Sequence, residues 1–275
     1  MKKLSMLGLS VPVLSIALAG IFPAQVKAER LVIQGSTTVF PITVATAEAF
    51  MRDNPGADIS VRGGGSGGGV RALVEGGRIV AQSSRPMRHK EKMTMQAAGR
   101  NPVEHTIGLD GMAIIVHPNN LVTGLTMKQV RDIYAGRITD WKDVGGTPGR
   151  IVIVSRDIGS GTFGSFVDIV MKKEAIHPGA IFQASSGAVV EAVSGSPHAI
   201  GYVGMGFLDE RTKAVDVDGI SPTVENVVSG IYPISRPLFF YTDGEPRGLA
   251  KQYIDFVFSP RGQEIVAEQG FVPVK

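Results

Sequence analysis

Apolar and polar positions along the chain fall into short runs that alternate between two periods. Arg30-Leu31-Val32-Ile33-Gln34 reads as a strand, and Pro41 opens a helical stretch from Ile42 to Arg52 that Asn54-Pro55-Gly56 ends. Asp58 to Arg62 alternates like a strand, and Val70 to Glu75 has the helical period, closed by Gly76-Gly77. Arg78 to Gln82 predicts a strand, His89 to Ala98 a helix, Val103 to Gly108 a strand, and Leu109 to Pro118 a longer apolar strand with Asp110 near its start. Further on, Thr126-Met127-Lys128-Gln129 is a capping box for a helix to Tyr134, and Arg150 to Ser155 is a strand leading into a helix through Phe166 to Met171. Ser185-Ser186-Gly187 precedes a helix to Val193, Ala199 to Gly204 is a strand with a glycine turn, and Ser221-Pro222 opens a helix over 223–229. Leu238 to Tyr241 is a strand, and helices over 249–258 and 260–269 close the chain. Strand and helix alternate without repeat or linker, which predicts an α/β fold.

The turns between these elements carry the chemistry. Gly63-Gly64-Gly65-Ser66-Gly67-Gly68-Gly69 joins a strand to a helix, so backbone can approach a ligand while unpaired amides and the positive end of a helix dipole face it. Ser66 is expected to cap the helix and add a hydroxyl to the same cradle, and the turn suits an oxyanion. The theme repeats at Ser36-Thr37-Thr38, at Ser83-Ser84-Arg85, and at Arg156-Asp157-Ile158-Gly159-Ser160-Gly161-Thr162. All four lie at carboxyl ends of strands, the edge of an α/β sheet where ligands bind. In the last of them Arg156 stands beside two hydroxyls and a helix start, a set suited to bidentate anion capture.

Three other patterns lie in the glycine run. A Gly/Ser linker would have aperiodic flanks, and these flanks are periodic. Gly63-x-Gly65-x-x-Gly68 matches the dinucleotide fingerprint, with Arg85 placed to meet a 2′-phosphate, and Gly64-x-Ser66-x-Gly68 matches a nucleophile elbow. The elbow would make Ser66 a nucleophile with His89, His105, His117, His177 or His198 as base, but none of these histidines has a distinctive context. No lysine occupies a Walker position, so the Ser-Gly-Thr turn is not a P-loop.

Composition narrows the setting. Met1-Lys2-Lys3, the apolar stretch Leu4 to Ile21 and Val26-Lys27-Ala28 form a signal peptide over residues 1–28; a membrane anchor is the alternative. Without Lys2, Lys3 and Lys27 the 28 basic residues fall to 25, matching 25 acidic ones, so no basic excess points to nucleic acid. With no cysteine, disulfides, thiolate metal sites and a lipidated anchor are excluded. A free periplasmic protein is expected, where nicotinamide chemistry is out of place.

These motifs, in this order and ending with Ala199-Ile200-Gly201-Tyr202-Val203, make the chain similar to the phosphate-binding proteins of phosphate ABC transporters (Pst systems). The resemblance implies a type II periplasmic binding fold, two α/β lobes joined by two crossing strands, with lobe 1 formed by residues 29–113 and 237–275 and lobe 2 by 114–236. It implies a monomer that is not an enzyme, binds inorganic phosphate without cofactor or metal, and delivers it to the transporter's membrane subunits; a binding protein of the same fold for another oxyanion, sulfate or molybdate, is the alternative. The implied phosphate ligands are drawn from Ser36, Thr37, Thr38, Ser66, Ser84, Arg85, Arg156, Ser160, Gly161 and Thr162. One departure stands out: some members carry an aspartate where this chain has Arg85. Asp110 or a hydroxyl would then replace it as acceptor for the proton of hydrogen phosphate, the feature that separates phosphate from sulfate.

Overall fold

The computed structural model describes residues 29–274; the expected signal peptide, residues 1–28, lies outside them. In chain order the main elements are β1 (Arg30–Gly35), α1 (Phe40–Asp53), β2 (Asp58–Arg62), α2 (Ser66–Val74), β3 (Val80–Ser83), α3 (His89–Ala97) and β4 (Pro102–Val116). There follow β5 (Gly124–Leu125), α4 (Met127–Tyr134), β6 (Val152–Arg156), α5 (Gly161–Ile169), β7 (Ile181–Gln183), α6 (Ser186–Ser194) and β8 (Ala199–Gly204). β9 (Lys213–Val217), α7 (Val224–Val228), β10 (Ser235–Asp243), α8 (Gly248–Val257) and α9 (Pro260–Glu268) complete the chain.

The strands follow the order β2-β1-β3-β10-β4-β8-β6-β7, with β9 also paired to β4. One lobe is built on the parallel trio β2-β1-β3 and the other on β8-β6-β7, also parallel. Between them run the two crossing strands. β4 pairs with β10 antiparallel from Pro102 to Gly111, then turns its remaining residues, Met112 to Val116, to β8. Leu109 and the strand before it are therefore one continuous element of 15 residues, not the two strands that the glycine at 108 suggests. Gly108 and Gly111 are kept in the strand by packing, since a Cβ at Gly111 would meet Val227 at 2.8 Å.

Burial follows the period of each element. β3 and β8 are buried along their whole length, as strands covered on both faces must be, and Ile33, Ile114 and Phe240 lie at the centre of the main core. Phe166 of α5 stacks on Tyr202 of β8 with ring centroids 3.9 Å apart, and Tyr134 meets Phe166 edge-on at 4.6 Å. Trp141 is a packing anchor: it is buried and its indole N–H donates to the His198 carbonyl at 3.0 Å. Thr126 caps α4 as its capping box requires, while the helix over 224–228 takes Thr223 and not Ser221 as its cap. Among the described residues no helix is long and apolar enough to cross a membrane.

Candidate functional site

Four helices begin at the carboxyl ends of parallel strands or in the loops beside them, and their first residues converge between the lobes. α1 and α2 start from one lobe, α5 and α6 from the other. The first amides of each helix have no acceptor within its own backbone, so positive helix ends meet here and these N–H groups turn to hydroxyls, to carbonyls of other segments or to a ligand.

The first loop is tied into place by Gln82, whose carbonyl accepts from the Ser36 amide at 2.8 Å and whose side chain donates to the Ser36 carbonyl at 3.0 Å. Ser36 Oγ accepts the Thr38 and Val39 amides at 3.2 and 3.3 Å, which directs its own proton to Ser84 Oγ at 3.0 Å. In the glycine run, α2 begins at Ser66, so Gly67 to Gly69 lie inside its first turn rather than before it. Gly65, at φ +83°, is the residue before the helix, and Ser66 is not the cap that the sequence suggests. Its Oγ instead accepts the Ser84 amide at 3.1 Å and lies 3.5 Å from Ser84 Oγ.

From the other lobe, Ser160 caps α5 by accepting the Phe163 amide at 3.2 Å. Thr162 Oγ1 lies 2.8 Å from Thr38 Oγ1, a hydrogen bond across the lobes. Gly161 faces the same seam: a Cβ there would stand 2.1 Å from Ser66 Oγ and 2.7 Å from Ser84 Oγ. Backbone joins backbone as well, with the Gly67 amide donating to the Gly159 carbonyl at 2.9 Å.

Arg156 is 1 % exposed and is held by backbone: Nε donates to the Gln183 carbonyl and Nη2 to the Ala184 carbonyl, both at 3.1 Å. Its amide donates to Tyr202 Oη at 3.2 Å, and that hydroxyl, pushed up to about 12 by burial, also bonds Ser155 Oγ at 2.9 Å. Nη1 points into the nest and donates to Ser186 Oγ at 3.1 Å. Ser186 in turn lies 3.4 Å from Thr38 Oγ1, and its amide donates to Thr37 Oγ1 at 3.3 Å. The carboxylate paired with Arg156, that of Asp157, is 4.0 Å away and 43 % exposed, too wet to neutralise it. Burial brings the guanidinium down to about 10, which leaves it cationic at neutral pH.

The structure thus gathers Ser36, Thr37, Thr38, Ser66, Ser84, Arg156, Gly161 and Thr162 around one seam, with Ser160 as the cap beside them. Arg85 stands apart. Its guanidinium makes a bidentate pair with Glu91, at 2.9 and 2.7 Å, and Nη1 also donates to the Pro86 carbonyl. It lines an outer groove with Gly64, Gly67, Arg71, Arg88 and Ile158, and although its backbone bonds the Ser83 hydroxyl, its guanidinium reaches none of the seam hydroxyls among the described residues. The expected role of Arg85 as a ligand gives way here because an acid on α3 meets it first. Asp110, the expected proton acceptor, is also engaged: Oδ1 accepts the Met205 amide at 3.0 Å, and Oδ2 accepts Nε and Nη2 of Arg236 at 3.0 and 2.8 Å. Burial pushes its carboxyl up, against the pull of Arg236.

Two residues at the seam escaped the sequence analysis. Ser186 stands in a motif that reads as a helix start, and a cap was the ordinary expectation for such a serine. Arg236 lies in β10 between Ser235 and Pro237, inside a strand and away from any glycine turn, and its signal was its place opposite Asp110 in the crossing strands. Its Nη1 donates to the Ser84 carbonyl at 3.0 Å and its Nη2 to Thr162 Oγ1 at 3.1 Å.

Comparison with known proteins places this geometry. Residues 23–261 match the model of the PBP superfamily domain. The phosphate-binding protein PstS of Bacillus subtilis is 36 % identical over 246 residues, covering 89 % of this chain and 80 % of the relative. The chain belongs to the PstS family. PstS of Borreliella burgdorferi is 31 % identical over 260 residues, 90 % of this chain and 91 % of that one. Among solved structures, one from Clostridium perfringens, assigned as a phosphate ABC transporter substrate-binding protein and solved with bound phosphate, is 38 % identical. It superposes with a TM-score of 0.84 over 90 % of this chain and all of its own. The type II periplasmic binding fold expected from the sequence is thus the fold of this PstS family member.

Proposed function

We propose that the chain binds inorganic phosphate between its lobes and delivers it to a phosphate ABC transporter. It is a substrate-binding protein of its family and not an enzyme. The observation that carries the phosphate reading is Arg156, a buried guanidinium with no buried acid against it among the described residues, bonded to Ser186, whose hydroxyl meets Thr38 of the other lobe. A dianion seated there replaces the missing counter-charge and meets Ser66, Ser84, Thr38, Thr162 and the free amides of α2 and α5. Each charge-assisted bond contributes about 1.5–3 kcal/mol, so a handful suffices for sub-micromolar binding after desolvation and closure. Ser66 has hydroxyl and amide neighbours rather than a histidine, which suits a ligand and not a nucleophile.

The lobes then comprise residues 29–113 with 237–275, and 114–236, closing about β4 and β10. Closure brings the two faces into one surface, and we take this as the signal read by the membrane subunits. The protein acts outside the cytoplasmic membrane as a monomer.

A second reading, a site for an unprotonated oxyanion such as sulfate, is favoured by one observation: Asp110, the expected substitute acceptor for the proton of hydrogen phosphate, has both oxygens engaged by the Met205 amide and Arg236. Calorimetric titration of the mature protein, freed of carried-over anion by unfolding and refolding, separates the two. Tight binding of phosphate with sulfate silent supports the first; equal binding, or a preference for sulfate, sinks it.

A further inference from the structure

We propose that Arg236 is a positioning residue of the anion site, holding Thr162 and the Ser84 loop in register, and that Asp110 serves as its fixed counter-ion. This rests on the phosphate reading. Arg236 and Asp110 are direct partners across the two crossing strands, and both are buried. A purely structural staple between β4 and β10 would need only the two bonds to Asp110 Oδ2. The guanidinium does more than that. Nη2 is shared with Thr162 Oγ1 in one lobe, and Nη1 holds the Ser84 carbonyl in the other. Because a guanidinium can only donate, it occupies a lone pair of Thr162 Oγ1 and turns the threonine proton away from itself, toward Thr38 and the seam. The Ser84 carbonyl is also fixed by Ser165 Oγ at 3.0 Å, and the amide of the same residue meets Ser66 Oγ, so this one peptide segment links Arg236 to the glycine run.

Asp110 completes the arrangement. Its two oxygens lie 2.9 Å from where a Cβ of Gly204 would stand, and that same point is 2.8 Å from the Thr38 methyl carbon. The carboxylate therefore approaches the back of the first loop with only a glycine between, and neutralises Arg236 there. Arg156 remains as the uncompensated charge of the seam, facing the anion from the other side.

The test uses the mature protein and inorganic phosphate, with affinity by calorimetry and stability by thermal melting. The double variant Arg236→Met with Asp110→Asn removes both charges together, avoids a buried unpaired ion, and keeps an acceptor for the Met205 amide. We expect it to fold with a Tm near that of the wild type and to bind phosphate at least tenfold more weakly. A folded double variant with wild-type affinity would overturn the inference. The single variant Asp110→Asn decides should the double variant fail to fold: it strips Arg236 of its counter-ion, so phosphate should raise its Tm more than it raises that of the wild type. An equal or smaller rise would again overturn the proposal. Wild-type protein silent toward phosphate would instead sink the functional reading itself, and this inference with it.

Discussion

The ends of β3 and β6 are built from the same parts and finish with opposite electrostatics. Each is a parallel strand running out into hydroxyls and an arginine, Ser83-Ser84-Arg85 in one lobe and Arg156 to Thr162 in the other. Arg85 is met by Glu91, in the first turn of the next helix, and its charge is spent on the protein. Arg156 is met by carbonyls and one serine, and its charge is left over. What separates the two arginines is therefore whether the next helix supplies a close, half-buried acid, and not the hydroxyl motif around them.

Breaking the contrast at its active end should give the largest effect. Arg156→Ala is expected to weaken phosphate binding by about 3 kcal/mol or more, at least a hundredfold, with the Tm little changed, as read by calorimetry and melting. Next comes the seam itself. Gly161→Ala forces a methyl onto Ser66 Oγ, which lies 2.1 Å from its place, so the lobes cannot meet as they do here. A cost of about 1–3 kcal/mol then falls on the closed state, a loss of affinity of roughly five- to a hundredfold. Arg85→Ala reverses the pattern: phosphate affinity stays within a few-fold of wild type, while stability falls by about 1–3 kcal/mol in denaturant melts because Glu91 is left without its partner.

The smallest effect is a pH dependence carried by the same pair. Burial pushes the Glu91 carboxyl up, but hydrogen bonds from Arg85 and the Arg88 amide outweigh it and hold the group below its usual 4.5. A depressed carboxylate contributes stability that is present above the unfolded value and lost as pH falls through the folded one. Melting temperature should thus decline below about pH 4.5, and Glu91→Gln should show a shallower decline over that window.

Much of this was legible from residues alone. The α/β alternation, the four strand-end turns and the capping box at Thr126 follow from period and local chemistry, and β8 and α4 lie where the pattern puts them. The glycine run misled in its detail: glycines at 67–69 look like a loop, yet they form the first turn of α2, and what calls for glycine at 67 and 69 is backbone from other segments pressing on that turn. A Cβ at Gly69 would stand 2.2 Å from the Gln34 carbonyl, and one at Gly67 would be 3.1 Å from that of Gly159. The short strands β5 and β7 carry too few residues to show a period, and β9, as long as β2, went unread. For the site, hydroxyls next to glycine announced themselves, whereas the partners of Arg85, Asp110 and Arg236 are set by contacts between segments. Arg236 and Asp110 are 126 residues apart, and only the pairing of β4 with β10 brings them together.

The central claim is that the uncompensated guanidinium, and not its neutralised counterpart, receives the anion. A crystal structure of the mature protein grown with inorganic phosphate tests it directly. The account predicts tetrahedral density between the lobes, within hydrogen-bonding distance of Arg156, Ser66 and Thr162, with the Arg85–Glu91 pair intact. Density on Arg85, with that pair broken and the seam between Thr38 and Thr162 unoccupied, would contradict it.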